Sequence, residues 1–439
     1  MNNKINKSLI AVYLSLISLL IIFGRSLTGI YILNFRLGEW IIAGSFLLSI
    51  FFLFTPNSSL KKYLNLNELF VIYKLCFLSF FVLIVLNLPL NSSSYIFKSS
   101  SYVWSTIFLF VGYYFFSKIN YESKFVYSFL LYLPLIYLLQ TTYYPKFLSE
   151  FILKNSDKFE YLKAGDVLLI YVISTLVLQK LYSNNFLFFT LFMLMSFVFF
   201  PYFLYASKGA FLASIIYFVL QFLSFRKILL NLNLKVFFVL VASIIFFFLS
   251  SFYIYGNFVF EKTYESDSVQ FVTDEVLGGL VAIVDERNTT EAFASLFIKD
   301  GRLYSEDVTA NWRLQIWQDI FDDLQIKNKI LFGYGYNEII PAMDDKERRG
   351  SDGTNENVHN YLINIFARGG LFQLTLFLIL HVSIIRLYHQ KFGNYSILKL
   401  LIPVFIVSFF DTSMESVRFP FLYYSFLGYF LNEDSIYLY

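Results

Sequence analysis

Residues 234–255 read LKVFFVLVASIIFFFLSSFYIY, a run of 22 residues in which Lys235 is the only charged side chain. A helix of about 20 apolar residues is long enough to cross the hydrocarbon core of a bilayer. The run therefore predicts a membrane-spanning helix, and similar apolar windows recur along most of the chain.

The composition of the 439-residue chain agrees, since 57% of its residues are hydrophobic, 21% are aromatic and only 15% are charged. Soluble globular proteins carry about 25% charged residues. This balance excludes a water-soluble enzyme, a disordered scaffold and a nucleic-acid-binding protein, and it predicts an all-α polytopic membrane protein. Because Cys76 is the one cysteine, we expect no intramolecular disulfide and no cysteine-based metal site.

Apolar windows predict about twelve membrane-spanning helices. They lie near residues 8–24, 37–55, 68–89, 102–117, 125–141, 164–182, 185–206, 208–224, 234–255, 366–387, 396–411 and 417–431. One long polar gap then divides the chain into helices 1–9 (residues 1–256), a large external loop (257–360) and helices 10–12 (361–439). Arg25 follows the first apolar run without a small-residue cleavage site, so we expect an uncleaved first span rather than a signal peptide.

Lysine and arginine in the short loops indicate the orientation. If the N-terminus is cytoplasmic, the inner loops hold thirteen of these residues and the outer short loops hold seven. We therefore expect both termini inside and the long loop outside. That loop has 20 acidic and 10 basic residues and therefore a net charge of −10. Because the whole chain has a formal net charge of +3, the residues outside the loop have a net charge of +13. No other stretch is polar enough to fold in water, so we expect the functional site to involve this loop.

Three local patterns divide the loop. Residues 311–324 (NWRLQIWQDIFDDL) predict an amphipathic helix with an apolar stripe and an acidic opposite face. Residues 331–336 (LFGYGY) predict a turn, because their two glycines permit positive φ. Residues 344–357 are charged and predict a mobile lid or a disordered tip, and residues 359–370 (HNYLINIFARGG) predict a helix that returns the chain to the membrane.

Ser207-Lys208-Gly209 lies between two apolar windows on the predicted outer face. A lysine at this depth is a compact charge that can bind a phosphate, and Gly209 would let a phosphate or another helix approach closely. The alternative is a lysine that anchors a helix end by extending to the interface.

Arg313 lies beside Trp312 and shortly before Trp317. A planar guanidinium can bind a phosphate through two parallel hydrogen bonds, and the indoles could enter the interface or stack on sugar rings. The alternative is an ordinary solvated ion pair with Asp319, Asp322 or Asp323.

His359-Asn360 contains the one histidine of the external loop, at the point of return to the membrane. A histidine with a pKa near neutrality is suited to remove a proton from an attacking hydroxyl, although a lone histidine is more often structural. His381 and His389 lie toward the inner side, so we expect no histidine-based metal cluster.

Weaker candidates are charged residues near the predicted interface. Arg348-Arg349 could hold an anionic sugar, and Asp411 and Glu415 are acids at the edge of the membrane. Asp166 and Lys74 resemble them but could serve helix packing. The chain has no phosphate-binding Walker loop, dinucleotide glycine fingerprint or nucleophile elbow, which disfavours ATP-driven transport and hydrolase chemistry.

Together these motifs resemble the O-antigen polymerase and ligase family, which includes the Wzy-type repeat-unit polymerases. The similar features are an Arg near a Trp, an FGxGxN turn (residues 332–337, ending at Asn337), and HN-x9-G from His359 to Gly370. The upstream Ser-Arg-Gly typical of the family is here Ser207-Lys208-Gly209. The resemblance covers roughly residues 207–415, and the first 200 residues match only in topology. Lys208 lacks the bidentate geometry of Arg, and Gln373 stands where the ligase-like pattern has a further glycine.

The resemblance implies a membrane glycosyltransferase of the GT-C type that uses a polyprenyl-diphosphate-linked sugar donor, without a metal or other cofactor. It implies that Lys208 and Arg313 bind the diphosphate and that His359 and Arg313 are catalytic. The expected acceptor-contacting or supporting residues are Asn337, Asn360, Trp312, Trp317, Asp411 and Glu415.

Three functions remain open. The first is a surface-polysaccharide polymerase that joins lipid-linked repeat units on the outer face of the inner membrane. The second is a ligase that transfers finished glycan to lipid A core or protein, and the third is a flippase or solute transporter. The expected partners are polyprenyl-diphosphate-linked oligosaccharides and membrane lipids, with a chain-length regulator and a flippase as further candidates and no nucleic acid. The departure at Gln373 mildly favours the polymerase.

Overall fold

The computed structural model describes residues 2–55, 66–87, 93–118, 127–141, 145–156, 162–181, 185–230, 233–260, 295–344, 348, 356–411 and 413–432. The described part is predominantly helical, with two short antiparallel hairpins. The first hairpin pairs β1 (Tyr31–Ile32) with β2 (Phe35–Arg36), and the second pairs β3 (Leu296–Lys299) with β4 (Arg302–Ser305).

Thirteen described helices precede the second hairpin. They are α1 (Asn2–Thr28), α2 (Leu37–Phe54), α3 (Asn67–Leu86), α4 (Ser93–Ser99), α5 (Ser101–Ser105), α6 (Phe108–Phe116), α7 (Phe129–Thr141), α8 (Lys146–Asn155), α9 (Ala164–Leu181), α10 (Asn185–Ala206), α11 (Lys208–Phe222), α12 (Arg226–Leu230) and α13 (Leu234–Phe260). The helices described after it are α14 (Val308–Ile326), α15 (Tyr361–Phe392), α16 (Leu398–Phe410) and α17 (Arg418–Phe430).

Seven described helices are long and apolar enough to cross a membrane. They are Lys7–Thr28, Leu37–Phe54, Asn67–Leu86, Asn185–Ala206, Lys208–Leu230, Leu234–Ile254 and Tyr361–Phe392. Three shorter apolar helices accompany them, at Ser101–Phe116, Phe129–Thr141 and Leu398–Phe410. The predicted all-α membrane class is confirmed, while the count of twelve spans stays a prediction.

Every predicted window coincides with a described helix, with two differences of shape, whereas the short helices α4, α8 and α12 lie outside the windows. The window 102–117 contains two helices, α5 and α6, which are interrupted at residues 106–107. The window 366–387 lies within the range of α15, but the helix is interrupted inside it, at Gly370, so the predicted helix is not continuous. Helix α14 is longer than the predicted 311–324, because it begins at Val308 behind the capping residue Asp307.

Helix α9 occupies the centre of the bundle and packs against α7, α10, α11, α16 and α17. Its residues from Ala164 to Leu178 are all buried, and a helix that is apolar on every side belongs inside a larger assembly. Interhelical hydrogen bonds pair two of its hydroxyl groups, since the oxygens of Tyr171 and Ser196 lie 2.5 Å apart and so do those of Thr175 and Tyr217. This helix runs from the end of the bundle where the candidate site lies into the interior of the bundle.

Helix α15 folds back on itself at Gly370. Gly370 has φ +62° and ψ −166°, a conformation outside the helical region that L side chains rarely adopt. The rings of Tyr361 and Phe377 lie 6.0 Å apart as a result, whereas 16 residues of straight helix would separate them by about 24 Å. Residues 361–369 thus form a re-entrant arm beside the long part of α15, and His359 lies at the base of this arm.

Candidate functional site

The glycine turn and the re-entrant arm form one structural unit. The backbone N–H of Tyr334 donates to the carbonyl of Ala367 at 2.8 Å, and that of Gly335 donates to the carbonyl of Arg368 at 2.9 Å. A Cβ at Gly333 would lie 2.6 Å from the Ala367 carbonyl oxygen, so the turn can approach this closely only with glycine there. The predicted turn is confirmed, with φ of +66° at Gly333 and +79° at Gly335.

Gln373, the departure from the ligase-like pattern, is fully buried at the centre of a hydrogen-bond network. Its Oε1 accepts from the hydroxyls of Tyr102, at 2.5 Å, and Tyr336, at 2.7 Å. Its Nε2 donates to Ser79 Oγ at 3.0 Å. The amide thereby links α3, α5, the glycine turn and α15, which are four separate parts of the chain.

The two tryptophans of α14 contact His359 and the residue before it. The edge of its ring contacts Trp312 at a centroid distance of 5.1 Å, and its backbone has φ +53°, which is strained for a residue other than glycine. Trp317 Nε1 donates to the carbonyl of the preceding residue, Val358, at 2.7 Å. The Trp317 ring also packs against Phe409 at the end of α16. In this structure the Trp317 indole therefore holds the backbone beside His359.

The surroundings of His359 lower its pKa below the near-neutral range of an ordinary histidine. Burial, followed by the positive charge of Arg313, lowers the pKa of His359 from its usual 6.5 to about 4. Asp411 acts in the opposite direction, and Lys163 adds to the lowering. The imidazole is neutral at pH 7, so it can accept a proton, but it is a weaker base than an exposed histidine.

Asn360 caps the re-entrant arm, since its Oδ1 accepts from the N–H of Ile363 at 3.1 Å. The side chain is fully buried, and its Nδ2 has no hydrogen-bond partner among the described residues. Asn337 lies beyond the glycine turn and donates from Nδ2 to the Asn87 carbonyl at 2.8 Å. Its Oδ1 is buried and likewise has no partner within the described ranges.

Lys208 pairs with Asp307, a residue that sequence reasoning missed. Asp307 caps α14 by accepting from the N–H of Ala310 at 2.8 Å. An Asp shortly before an amphipathic helix is a start signal that could have identified this residue. Ser207 caps α11, and a Cβ at Gly209 would lie 2.7 Å from Phe410 Cβ, so Gly209 admits a neighbouring helix.

Asp411 and Glu415 lie in the segment that joins α16 to α17. Asp411 accepts from Ser413 Oγ at 3.0 Å and lies 3.9 Å from Lys163 Nζ. Burial, opposed by Arg368, raises the pKa of Glu415 to about 8. Glu415 Oε1 is buried without a hydrogen-bond partner among the described residues. The structure thus brings both acids close to the charges around His359.

The acidic face of α14 has partners of its own. Asp319 pairs with Arg302 at 2.5 Å and with Arg348 at 2.7 Å, and Asp323 pairs with Lys327 at 3.0 Å. Arg348 therefore belongs to an ion-pair cluster on α14, while Arg349 lies outside the described residues.

Two further arginines near the site were missed. Arg368 is buried in the re-entrant arm, where its guanidinium donates to the Gly335 and Glu338 carbonyls and to Tyr95 Oη. Arg418 is buried against Asp166, which confirms a packing role for that acid. Their spacing in the sequence carries no signal for these contacts. Lys74 donates to the Thr55 carbonyl at 2.7 Å, a contact at a helix end.

In the described part of the chain, no group of three or more His, Cys, Asp or Glu side chains is placed to hold a metal ion. The cations and helix ends instead favour an anion. The N-termini of three helices lie near the Phe410–Asp411 end of α16. Lys163, just before α9, lies 3.9 Å from Asp411, and Gly209 of α11 packs against Phe410. His359, just before α15, interacts electrostatically with Asp411. Helix N-termini carry partial positive charge and attract phosphate groups.

Comparison with known proteins supports the resemblance predicted from the motifs. Residues 191–378, less than half of the chain, match the family described as O-antigen ligase. A search of curated proteins found no significant match. The matched region contains Lys208, Arg313, the glycine turn and the re-entrant arm. Residues 191–378 are therefore similar to the O-antigen ligase family, in agreement with the resemblance to the O-antigen polymerase and ligase family that the motifs indicated.

Proposed function

We propose that this protein is a surface-polysaccharide polymerase, a metal-independent membrane glycosyltransferase that joins polyprenyl-diphosphate-linked oligosaccharide repeat units. The observation that carries the proposal is the placement of neutral His359 beside Trp312 and Arg313, at the base of the re-entrant arm. This arrangement combines a proton acceptor for the attacking hydroxyl with a guanidinium that can stabilise the departing diphosphate, and both would accelerate glycosyl transfer.

The donor diphosphate would be bound chiefly by Arg313, assisted by the surrounding helix N-termini. As the bond between the anomeric carbon and the diphosphate oxygen breaks, negative charge grows on the departing diphosphate. A fixed cation stabilises this charge more than it stabilises the bound substrate, which lowers the barrier. The Lys208 ammonium already forms an ion pair with the carboxylate of Asp307.

His359 would accept the proton of the acceptor hydroxyl as its oxygen bonds to the anomeric carbon. A pKa of about 4 makes the free imidazole a weak base. A bound diphosphate brings negative charges that raise the pKa of a neighbouring histidine. Substrate binding would therefore strengthen the base when it is needed. Asn360 Nδ2 and Asn337 Oδ1, which are buried and unsatisfied among the described residues, would contact sugar hydroxyls or support the site.

The second candidate is a ligase that transfers finished glycan from the carrier to lipid A core or protein. It is supported by the description of the matching family as O-antigen ligase. The two functions share the donor and the chemistry and differ in the acceptor. A transporter without covalent chemistry is disfavoured, because the candidate residues gather at one end of the bundle.

The proposed setting is the bacterial inner membrane, with both termini cytoplasmic and residues 257–360 extracytoplasmic. In this topology, residues 1–256 and 361–439 would form the membrane body. They would contain twelve spans in a GT-C-like arrangement. Membrane lipids and the undecaprenyl-diphosphate carrier would surround the site, and a chain-length regulator and a flippase are candidate partners.

The deciding experiment is a glycan gel of a deletion strain in which carrier-linked and acceptor-linked material are separated. Loss of long chains with accumulation of single repeat units on the carrier would support a polymerase. Persistence of long chains on the carrier, absent only from the final acceptor, would identify a ligase. Repeat units trapped inside the cell would contradict both and indicate a transporter.

A further inference from the structure

One buried carboxylate joins the membrane bundle to the external helix α14. Asp307 Oδ2 accepts from Lys208 Nζ at the start of α11, while its Oδ1 accepts from Ala310 N–H at 2.8 Å. Its backbone N–H donates to Ser305 Oγ at 3.2 Å. The Asp307 side chain is 6% exposed and that of Lys208 is 22% exposed. The contact is therefore largely shielded from water and from salt.

The position of this contact matters for the residues that follow it. Trp312 and Arg313 come five and six residues after Asp307, within the first two turns of α14. Any movement of the helix N-terminus is therefore transmitted to both side chains. A displacement of about 1 Å in a reacting group can lower a rate by about 100-fold.

We propose that Asp307 is a positioning residue for glycosyl transfer and that Lys208 acts on the reaction through it. The ion pair holds the N-terminus of α14 against the membrane bundle, so that Arg313 and Trp312 stay in register with His359. This inference rests on the proposed function. It differs from direct binding of the diphosphate by Lys208. Direct binding would require the Lys208 ammonium to leave the Asp307 carboxylate, and that carboxylate would repel the phosphates.

The test uses substitutions that separate the ion pair from the helix cap. Asp307→Asn removes the charge but keeps an acceptor for the Ala310 N–H, since Asn caps helices as well as Asp. Lys208→Met keeps the length of the side chain without its charge, and Lys208→Arg keeps the charge. Lys327→Met is the matched control, because Lys327 pairs with Asp323 near the other end of the same helix.

Activity is measured as the rate of glycan transfer to native substrate in a deletion strain, normalised to folded protein. We expect Asp307→Asn and Lys208→Met each to lower it about tenfold or more, and the double variant to lower it no further than either alone. Lys208→Arg should restore most of the activity, and Lys327→Met should leave it unchanged.

Amide hydrogen exchange in the purified full-length protein provides the second readout. The N–H groups of residues 308–314 should exchange faster in both single variants than in the wild type, and Lys327→Met should leave them unchanged. The inference would be overturned if Asp307→Asn had an activity equal to or above that of the wild type while Lys208→Met was inactive. That result would assign Lys208 to binding of the diphosphate. Losses that vanish on normalisation to folded protein would also overturn it. Failure of the wild-type gene to restore glycan would instead contradict the proposed function.

Discussion

Trp317 Nε1 donates a hydrogen bond to the carbonyl of Val358 at 2.7 Å, and this contact connects α14 to the residue immediately before His359. The two residues are 41 positions apart in the sequence. His359 itself has a left-handed backbone that the surroundings must hold in place. The indole therefore acts on the candidate base through the backbone.

Trp317→Phe keeps an aromatic ring against Phe409 but removes the donor. A hydrogen bond of this kind contributes about 1 kcal/mol, so we expect up to a tenfold loss of glycan transfer with little loss of folded protein. The measurement is the glycan ladder of a complemented deletion strain, with protein abundance measured by immunoblot. Unchanged ladders would show that Val358 is held by other contacts.

His359→Ala and Arg313→Ala should each abolish chain elongation and leave single repeat units on the carrier. The first removes the proton acceptor and the second removes the cation that stabilises the leaving diphosphate. Glycan gels of strains producing correctly inserted variants provide the measurement. Lys327→Met, at the C-terminal end of the same helix, serves as the control. Normal ladders from either alanine variant would contradict its assigned role.

The loss of glycan-transfer activity at acidic pH should follow the protonation of His359, and therefore its pKa. The folded-state value of about 4 lies below the usual 6.5, so the imidazole of the free protein stays neutral until the pH falls toward 4. Arg313→Gln removes a positive charge that lowers this pKa, and the protonation midpoint should move upward. NMR titration of selectively labelled histidine in detergent-solubilised protein measures that midpoint, with His389→Gln used for assignment. An unchanged midpoint in Arg313→Gln would refute the electrostatic coupling.

Gly370→Ala should prevent the fold-back of α15. An added Cβ would lie 2.3 Å from the Leu331 backbone, and φ is +62°. We expect loss of folded protein in membranes, since the clash is with backbone that cannot move aside cheaply. Gly393→Ala is the control, because Gly393 has φ +68° but no atom within 4 Å of an added Cβ. It should cost only about 1 kcal/mol. Equal abundance of the two variants would argue against steric exclusion at Gly370.

Glu415 should make the protein less stable at alkaline pH. Its folded-state pKa of about 8 exceeds the ordinary 4.5, so the folded protein retains a proton that the unfolded chain releases between these values. This contribution is complete below pH 4.5 and is lost as the pH rises through 8. Thermal unfolding in detergent at pH 6 and pH 9 should show a smaller difference for Glu415→Gln than for wild type. Glu39→Gln, an exposed control, should behave as wild type.

Local patterns predicted much of the architecture. Apolar windows located the membrane helices because burial in lipid requires long apolar runs, and the stripe of α14 is confirmed by the complete burial of Ile316, Ile320 and Leu324. The two glycines of the turn were predicted because their backbone requirement is local. The HN and FGxGxN patterns, read together, correctly indicated the family of the matched region.

The sequence by itself thus determined that the chain resides in a membrane, where its helices lie and which residue types occur near its site, because each of these depends on neighbours a few positions apart. Only the tertiary structure decided that α15 folds back at Gly370, that Asp307 holds Lys208, and that Gln373 joins four segments. These contacts join residues far apart in the sequence. The low pKa of His359 likewise depends on burial and on Arg313, which become its surroundings only when the chain is packed.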